Sequence, residues 1–186
     1  MAIEHFRVIT FLVYLGSWAV LAIGAILGAI PRRRQIASAV HMRARAVVGL
    51  VLQCASALPI SLFLDDGPLR PRVAEMAGGL VFAPVAALLY LWAQRSAPRG
   101  EEETSLTTGG AYALMRHPMY AAFLAMLVAT GLLASAGWKL AVALALYGVG
   151  TELRIAEEEE ELASRFPKGH PRYVRATRWR YLWGLR

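Results

Sequence analysis

A chain of 186 residues that is 57% hydrophobic, with a mean hydropathy of +0.44, carries more apolar surface than one water-soluble core of that size can cover, so it reads as a polytopic membrane protein. The net charge of +7 does not make it a nucleic-acid binder, because the basic residues sit in short connectors and the C-terminal stretch rather than on one face of a soluble domain. Its single cysteine, Cys54, lies inside an apolar run, which excludes a disulfide framework and a thiolate-rich metal cluster.

The first apolar run, "FRVITFLVYLGSWAVLAIGAILGAI" at 6–30, is too long for a signal-peptide core, lacks an A-x-A cleavage site and is followed by "PRRR". It is expected to be a retained span. Runs at 46–64 and 73–93 also approach the roughly 20 residues needed to cross a bilayer as helix. Pro59 and Pro84 are expected to kink these helices. Gly16, Gly24 and Gly28 are expected to allow close packing, and the small-xxx-small pair Gly24 and Gly28 leaves a homodimer contact open. The region 118–152 accommodates two short spans, with "SAGWK" at 135–139 as the turn. The fold expected is all-α: about five transmembrane helices, the last two a hairpin. Residues 1–93 form three N-terminal helices and residues 94–186 a C-terminal core.

Charge sets the expected orientation. The connector "PRRRQIASAVHMRAR" at 31–45 carries five arginines and no acid, whereas "DDGPLRPR" at 65–72 balances two acids with two arginines. The first is expected on the cytoplasmic side of a cell (inner) membrane and the second outside, which puts the N-terminus outside and the basic C-terminal tail in the cytoplasm.

The stretch "SAPRGEEETSLTTGGA" at 96–111 reads as a loop and leads into "GGAYALMRHPMY" at 109–120. A His-Pro pair at the mouth of a helix has an ordinary reading, in which Pro118 occupies the first turn and Tyr112 and Tyr120 are interface aromatics. It also has a functional one. Gly109 and Gly110 let backbone approach a ligand, while Arg116, His117 and free N–H groups at the helix start offer donors to an anion.

"RIAEEEEEL" at 154–162 continues the last apolar helix without Pro or Gly from Thr151 to Phe166, so its charges lie on an extension of that helix beyond the membrane. Arg154 has Glu157 at i+3 and Glu158 at i+4 on one face, while Glu159 lies about 100° further round and meets a different neighbour. Five adjacent carboxylates repel one another and face a negative inner leaflet, so such a run costs stability unless cations meet it.

Together "GGAY" (109–112), "RHPMY" (116–120), "RIAEEEEEL", Phe166, Tyr173 and Thr177 resemble the isoprenylcysteine carboxyl methyltransferase family and its bacterial relatives, over about 105–183. The spacing Arg-x-x-x-Glu-Glu-x-x-Leu-x-x-x-Phe fits Arg154, Glu158, Glu159, Leu162 and Phe166 without gaps. The resemblance implies an integral membrane methyltransferase that uses S-adenosyl-L-methionine and takes a lipid or prenylated small-molecule substrate laterally from the bilayer. It implies cofactor-binding roles for Tyr112, Arg116, His117, Pro118, Tyr120, Glu158, Glu159 and Tyr173, and catalytic roles for Arg154 and Glu158. The sequence departs from the family at Ala111, where a Pro is common, and at "FPKGHPRY" (166–173), where His170 replaces an aromatic and two prolines stand in for a Gly and acidic residues.

The cofactor's sulfonium and ammonium suit Glu158 and Glu159, its carboxylate suits Arg116 or His117, and the basic tail is expected to pair with the remaining glutamates. A carboxylate acceptor is already ionised at neutral pH and needs only orientation, for which Arg154 is the candidate. A phenolic acceptor, such as a quinone-like lipid, needs a base, with Glu158 or His117 as candidates. The rival from another class is a non-catalytic membrane scaffold or sensor. A transporter fits less well, since no ionisable residue sits mid-span. The acceptor's identity and the oligomeric state stay open.

Overall fold

Residues with long apolar runs and no water to satisfy their backbone can only close hydrogen bonds within their own segment, and the apolar runs among the described residues are helical accordingly. The structure is a computed structural model that describes residues 2–36, 44–61, 71–97 and 106–181, with side chains in the first helix described from residue 3 to residue 24. Its helices are α1 (Ala2–Ile36), α2 (Ala44–Ala55), α3 (Leu58–Ser61), α4 (Val73–Ser96), α5 (Ala111–Leu114), α6 (Pro118–Leu133), α7 (Trp138–Arg165) and α8 (His170–Ala176). No strand occurs among the described residues, so the all-α expectation holds.

Among the described residues three stretches are long and apolar enough to cross a membrane: Ile3–Gly24 (mean hydropathy 1.9), Ala44–Ser61 (1.5) and Val73–Ser96 (1.8). They fall on the three expected runs. The predicted hairpin is α6 and α7, turning at 134–137; α6 is a shorter apolar helix of 16 residues. α7 is one unbroken helix of 28 residues that carries both an apolar half and the glutamates.

Pro59 acts as expected. α2 stops at Ala55 and α3 begins at Leu58, because the proline ring removes an N–H and collides with the carbonyl four residues earlier. α4 instead runs on through Pro84.

Packing divides the molecule into two cores that share α6. On one side α4 packs on α1 and α6 through Leu21, Ala83, Ala86, Ala87, Tyr90, Ala122, Met126 and Ala129. The many alanines let these helices approach closely, as packing in lipid requires. On the other side α2 and α3 pack on α7, with Ile60, Leu127, Ala136, Ala143 and Tyr147 buried together. Val8, Leu12 and Leu15 of α1 and Val81, Val85 and Leu88 of α4 remain exposed, which suits a lipid-facing surface. A Cβ on Gly24 would lie 2.7 Å from the Tyr90 ring, so Gly24 serves the α1–α4 contact within the chain. The surroundings of Gly28 lie outside the described residues.

At one end of the hairpin the Ser135 hydroxyl donates to Glu75 at the start of α4 (2.8 Å). At the other, the first residues of α6 meet the glutamates of α7. The connectors on which the expected orientation rests lie largely outside the described residues, at 37–43 and 62–70, as does 98–105 of the loop.

Candidate functional site

The His-Pro motif starts α6 as its chemistry dictates. Pro118 takes the first helical position, where its missing N–H is no loss, and His117 is the residue just outside. The N–H groups of Arg116 and His117 donate to the carbonyls of Trp179 (2.9 Å) and Arg180 (2.8 Å). These two backbone donors, just before the helix, are thus taken by the tail. Gly110 is likewise occupied by the fold: its φ is +60°, a Cβ there would collide with Ser96, and the next N–H, of Ala111, donates to the Ser96 hydroxyl at 3.2 Å. Gly109 has open space around it.

The glutamates of α7 find their cations within the chain. Glu158 accepts a short hydrogen bond from the Tyr120 hydroxyl, and lies 3.5 Å from His117 Nδ1 and 3.6 Å from Arg154 Nη2. Glu159, on the adjoining face, meets Arg116 Nη1 at 2.8 Å, His117 Nε2 at 3.3 Å and Arg180 Nη2 at 3.4 Å. Arg180 also holds Glu152 at 2.6 Å, and Arg45 of α2 reaches Glu157 at 3.6 Å and Glu160 at 3.2 Å. The basic tail thus meets the helix through Arg180, at Glu152 and Glu159, whereas Glu157 and Glu160, expected to pair with the tail, meet Arg45 of α2.

His117 is 7% exposed, with a carboxylate beside each ring nitrogen. Both nitrogens can donate only in the imidazolium form. Burial works to lower its pKa, but the bonds to Glu158 and Glu159 outweigh it and raise the value above the ordinary one. Burial works to raise both glutamates; the bonds from His117, with Tyr120 at Glu158 and Arg116 and Arg180 at Glu159, hold both below the usual carboxylate range. In the tail, burial pushes Tyr173 well above the ordinary phenol value, and burial with the neighbouring Glu152 pushes Tyr181 up to about 12.

Between these elements lies a cavity of about 470 Å³, a size typical of small-molecule and cofactor sites. Tyr112, Arg116, His117, Pro118, Tyr120, Arg154, Glu158 and Tyr173 all line it. Glu159 is not part of the lining; it lies behind Arg116 and His117 and holds them both. Met119, Phe123, Leu162 and Phe166 add an apolar wall, and Arg165 contributes a further charge, so three lining arginines stand against one glutamate. Tyr173 closes one side by donating to the Tyr112 carbonyl (2.8 Å), and the Arg154 guanidinium lies 5.4 Å from the centre of the Tyr120 ring. Although Arg116 is buried, its Nε has no hydrogen-bond partner among the described residues. That orphaned donor on an anion-binding side chain, beside an accessible carboxylate on Glu158 (39% exposed), fits a ligand that carries both signs of charge.

Sequence reasoning passed over Gln53, which holds Arg154 from outside the cavity. The signal for Gln53 was an amide alone in an apolar run.

The chain matches no curated protein. Residues 77–164, from α4 through the His-Pro motif and the hairpin to the end of the acidic run, match the sequence model of the isoprenylcysteine carboxyl methyltransferase (ICMT) family. Over that stretch, just under half of its length, the chain is similar to the ICMT family of methyltransferases.

Proposed function

We propose that the chain moves a methyl group from S-adenosyl-L-methionine to a lipidic acceptor, an isoprenylcysteine-type carboxylate or similar, at the cytoplasmic face of a cell membrane, with its N-terminus outside. The observation that carries this reading is the convergence of both sequence clusters on one cavity, whose lining combines a buried arginine with an unpartnered Nε and several apolar side chains. When bound, S-adenosyl-L-methionine supplies a methyl group on a positively charged sulfur. Arg116 would hold its carboxylate and Glu158 would offset its positive charge, with Tyr112 and Tyr173 as an aromatic wall. Glu159 keeps Arg116 and His117 in place rather than touching the ligand.

Methyl transfer is an in-line displacement, so the residues mainly align the partners and keep water out. Met119, Phe123, Leu162 and Phe166 accept hydrocarbon and exclude water, while Arg154 offers its planar fork to an anionic acceptor. The geometry favours a carboxylate over a phenol. Each His117 nitrogen faces a glutamate, and Glu158 already accepts the Tyr120 proton donor, so neither stands ready as a general base. The three lining arginines likewise suit an acceptor that arrives ionised.

Calorimetric titration of S-adenosylhomocysteine into the detergent-purified protein tests the reading. Binding on the order of micromolar, lost in Glu158→Gln, is expected. A folded protein that binds neither this product nor, with a lipid acid present, transfers labelled methyl would sink it.

A further inference from the structure

We infer that Gln53 of α2 is a positioning residue for Arg154, setting the guanidinium with which the cavity reads the acceptor's anionic end; this rests on the methyl-transfer reading above. Gln53 stands in the part of the chain before residue 77, where the family match begins. Its amide joins two residues of α7. Arg154 Nη1 lies 3.1 Å from Gln53 Oε1, and Gln53 Nε2 lies 2.8 Å from Thr151 Oγ1. Arginine has donors only, so the atom facing it must be the amide oxygen, which leaves the amide N–H₂ to donate to Thr151. Thr151 is fully buried on α7, so the amide is anchored at one end and holds the guanidinium at the other.

The backbones make room for this contact. A Cβ on Gly49 would lie 2.6 Å from the Gly150 carbonyl oxygen and 2.7 Å from Arg154 Cγ. A Cβ on Gly150 would lie 2.6 Å from the Gly49 oxygen and 3.0 Å from the backbone nitrogen of Gln53. Gln53 and Arg154 each stand one helical turn beyond these glycines, on the same faces. α2 thereby controls both parts of Arg154: Gly49 leaves space for its stem, and Gln53 takes its head. The choice of a neutral acceptor matters. An amide oxygen directs the guanidinium without cancelling its charge, whereas a carboxylate at 53 would consume the charge that an anionic ligand needs. The opposite end of the guanidinium reaches Glu158 at 3.6 Å, so Arg154 is held between α2 and the cavity wall.

The test compares Gln53→Met, which keeps length and apolar packing but has no acceptor, with Gln53→Glu, which keeps an acceptor and adds charge. Binding of S-adenosylhomocysteine, of an S-prenyl thioether carboxylic acid and of its methyl ester is measured by titration. Wild type is expected to prefer the acid to the ester. Both variants should retain S-adenosylhomocysteine affinity and lose about tenfold of that preference, with no further loss when Gln53→Met is added to Arg154→Met. Retention of the preference in Gln53→Met, or a parallel loss of both ligands as a packing defect would give, overturns the inference. Should wild type bind none of the three probes, the methyl-transfer reading fails on its own. The wild type, Gln53→Met, Arg154→Met and the double Met variant then decide the contact through their unfolding midpoints: non-additive shifts uphold the Gln53–Arg154 coupling, and additive shifts refute it.

Discussion

Arg116 and Glu159 meet at 2.8 Å with side chains only 6% and 21% exposed, and this pair fastens the mouth of α6 to the far end of α7. Removing the carboxylate leaves a buried guanidinium short of its counter-charge. Glu159→Gln is therefore expected to destabilise the protein by about 3 kcal/mol. The exposed pair of Arg45 and Glu160, at 52% and 48% exposure, should matter far less, with Glu160→Gln costing less than about 1 kcal/mol. Unfolding of the two variants in the same detergent checks this, and equal losses would contradict it.

The pH dependence follows from His117 and its two carboxylates. The raised pKa of His117 means that its contribution is fully present below its unfolded value of about 6.5 and is lost as pH rises through the higher folded value. The lowered values of Glu158 and Glu159 act in the other direction: their contribution is present above the ordinary carboxylate range and is lost as pH falls through the folded values. Stability should thus fall on both sides of a mildly acidic plateau. His117→Gln should flatten the alkaline decline in a plot of unfolding midpoint against pH, and a wild type already flat there would refute the bridging imidazolium.

Gly148 and Gly150 give opposite responses to the same substitution. A Cβ on Gly148 meets nothing within 4 Å, so Gly148→Ala should be neutral or stabilise α7 by up to about 1 kcal/mol through helix propensity. A Cβ on Gly150 meets the Gly49 carbonyl at 2.6 Å, so Gly150→Ala forces α2 away and should cost about 1–3 kcal/mol. Comparable unfolding midpoints for the two variants would mean that α2 and α7 are not in backbone contact.

Arg116→Lys separates holding the fold from holding a ligand. Lysine can still approach Glu159, but it lacks the Nε donor that has no partner in the described structure. S-adenosylhomocysteine affinity is expected to drop by about tenfold or more, with a smaller change in stability than in Glu159→Gln. Unchanged affinity would remove Arg116 from the binding site.

Local signals carried much of this organisation. Apolar run length located α1, α2 and α4, "SAGWK" at 135–139 marked the hairpin turn, although Trp138 and Lys139 already belong to α7, and unbroken helical phase after Thr151 carried α7 out to the glutamates. Helical spacing also put Arg154 beside Glu158 and turned Glu159 toward another neighbour. What depended on distant chain was not legible. Nothing local shows that Trp179 and Arg180 return to take the N–H groups of Arg116 and His117. Glu159 looked available to a cationic cofactor because Arg116 and Arg180, which take it, come from other segments. Gly110 looked like a ligand approach until Ser96 of α4 proved to be its neighbour. Gly49 and Gln53 carried no pattern of their own, since their meaning lies in what stands across from them on α7.

The return of Trp179 and Arg180 to the backbone of Arg116 and His117 also fixes when the site is finished. These two carbonyls emerge from the ribosome only after α6 and α7 have been made, so the hairpin can enter the bilayer while the Arg-His pair still has two open N–H groups. A nascent chain stopped before Trp179 would hold every lining side chain of the cavity yet lack the piece that locks the motif.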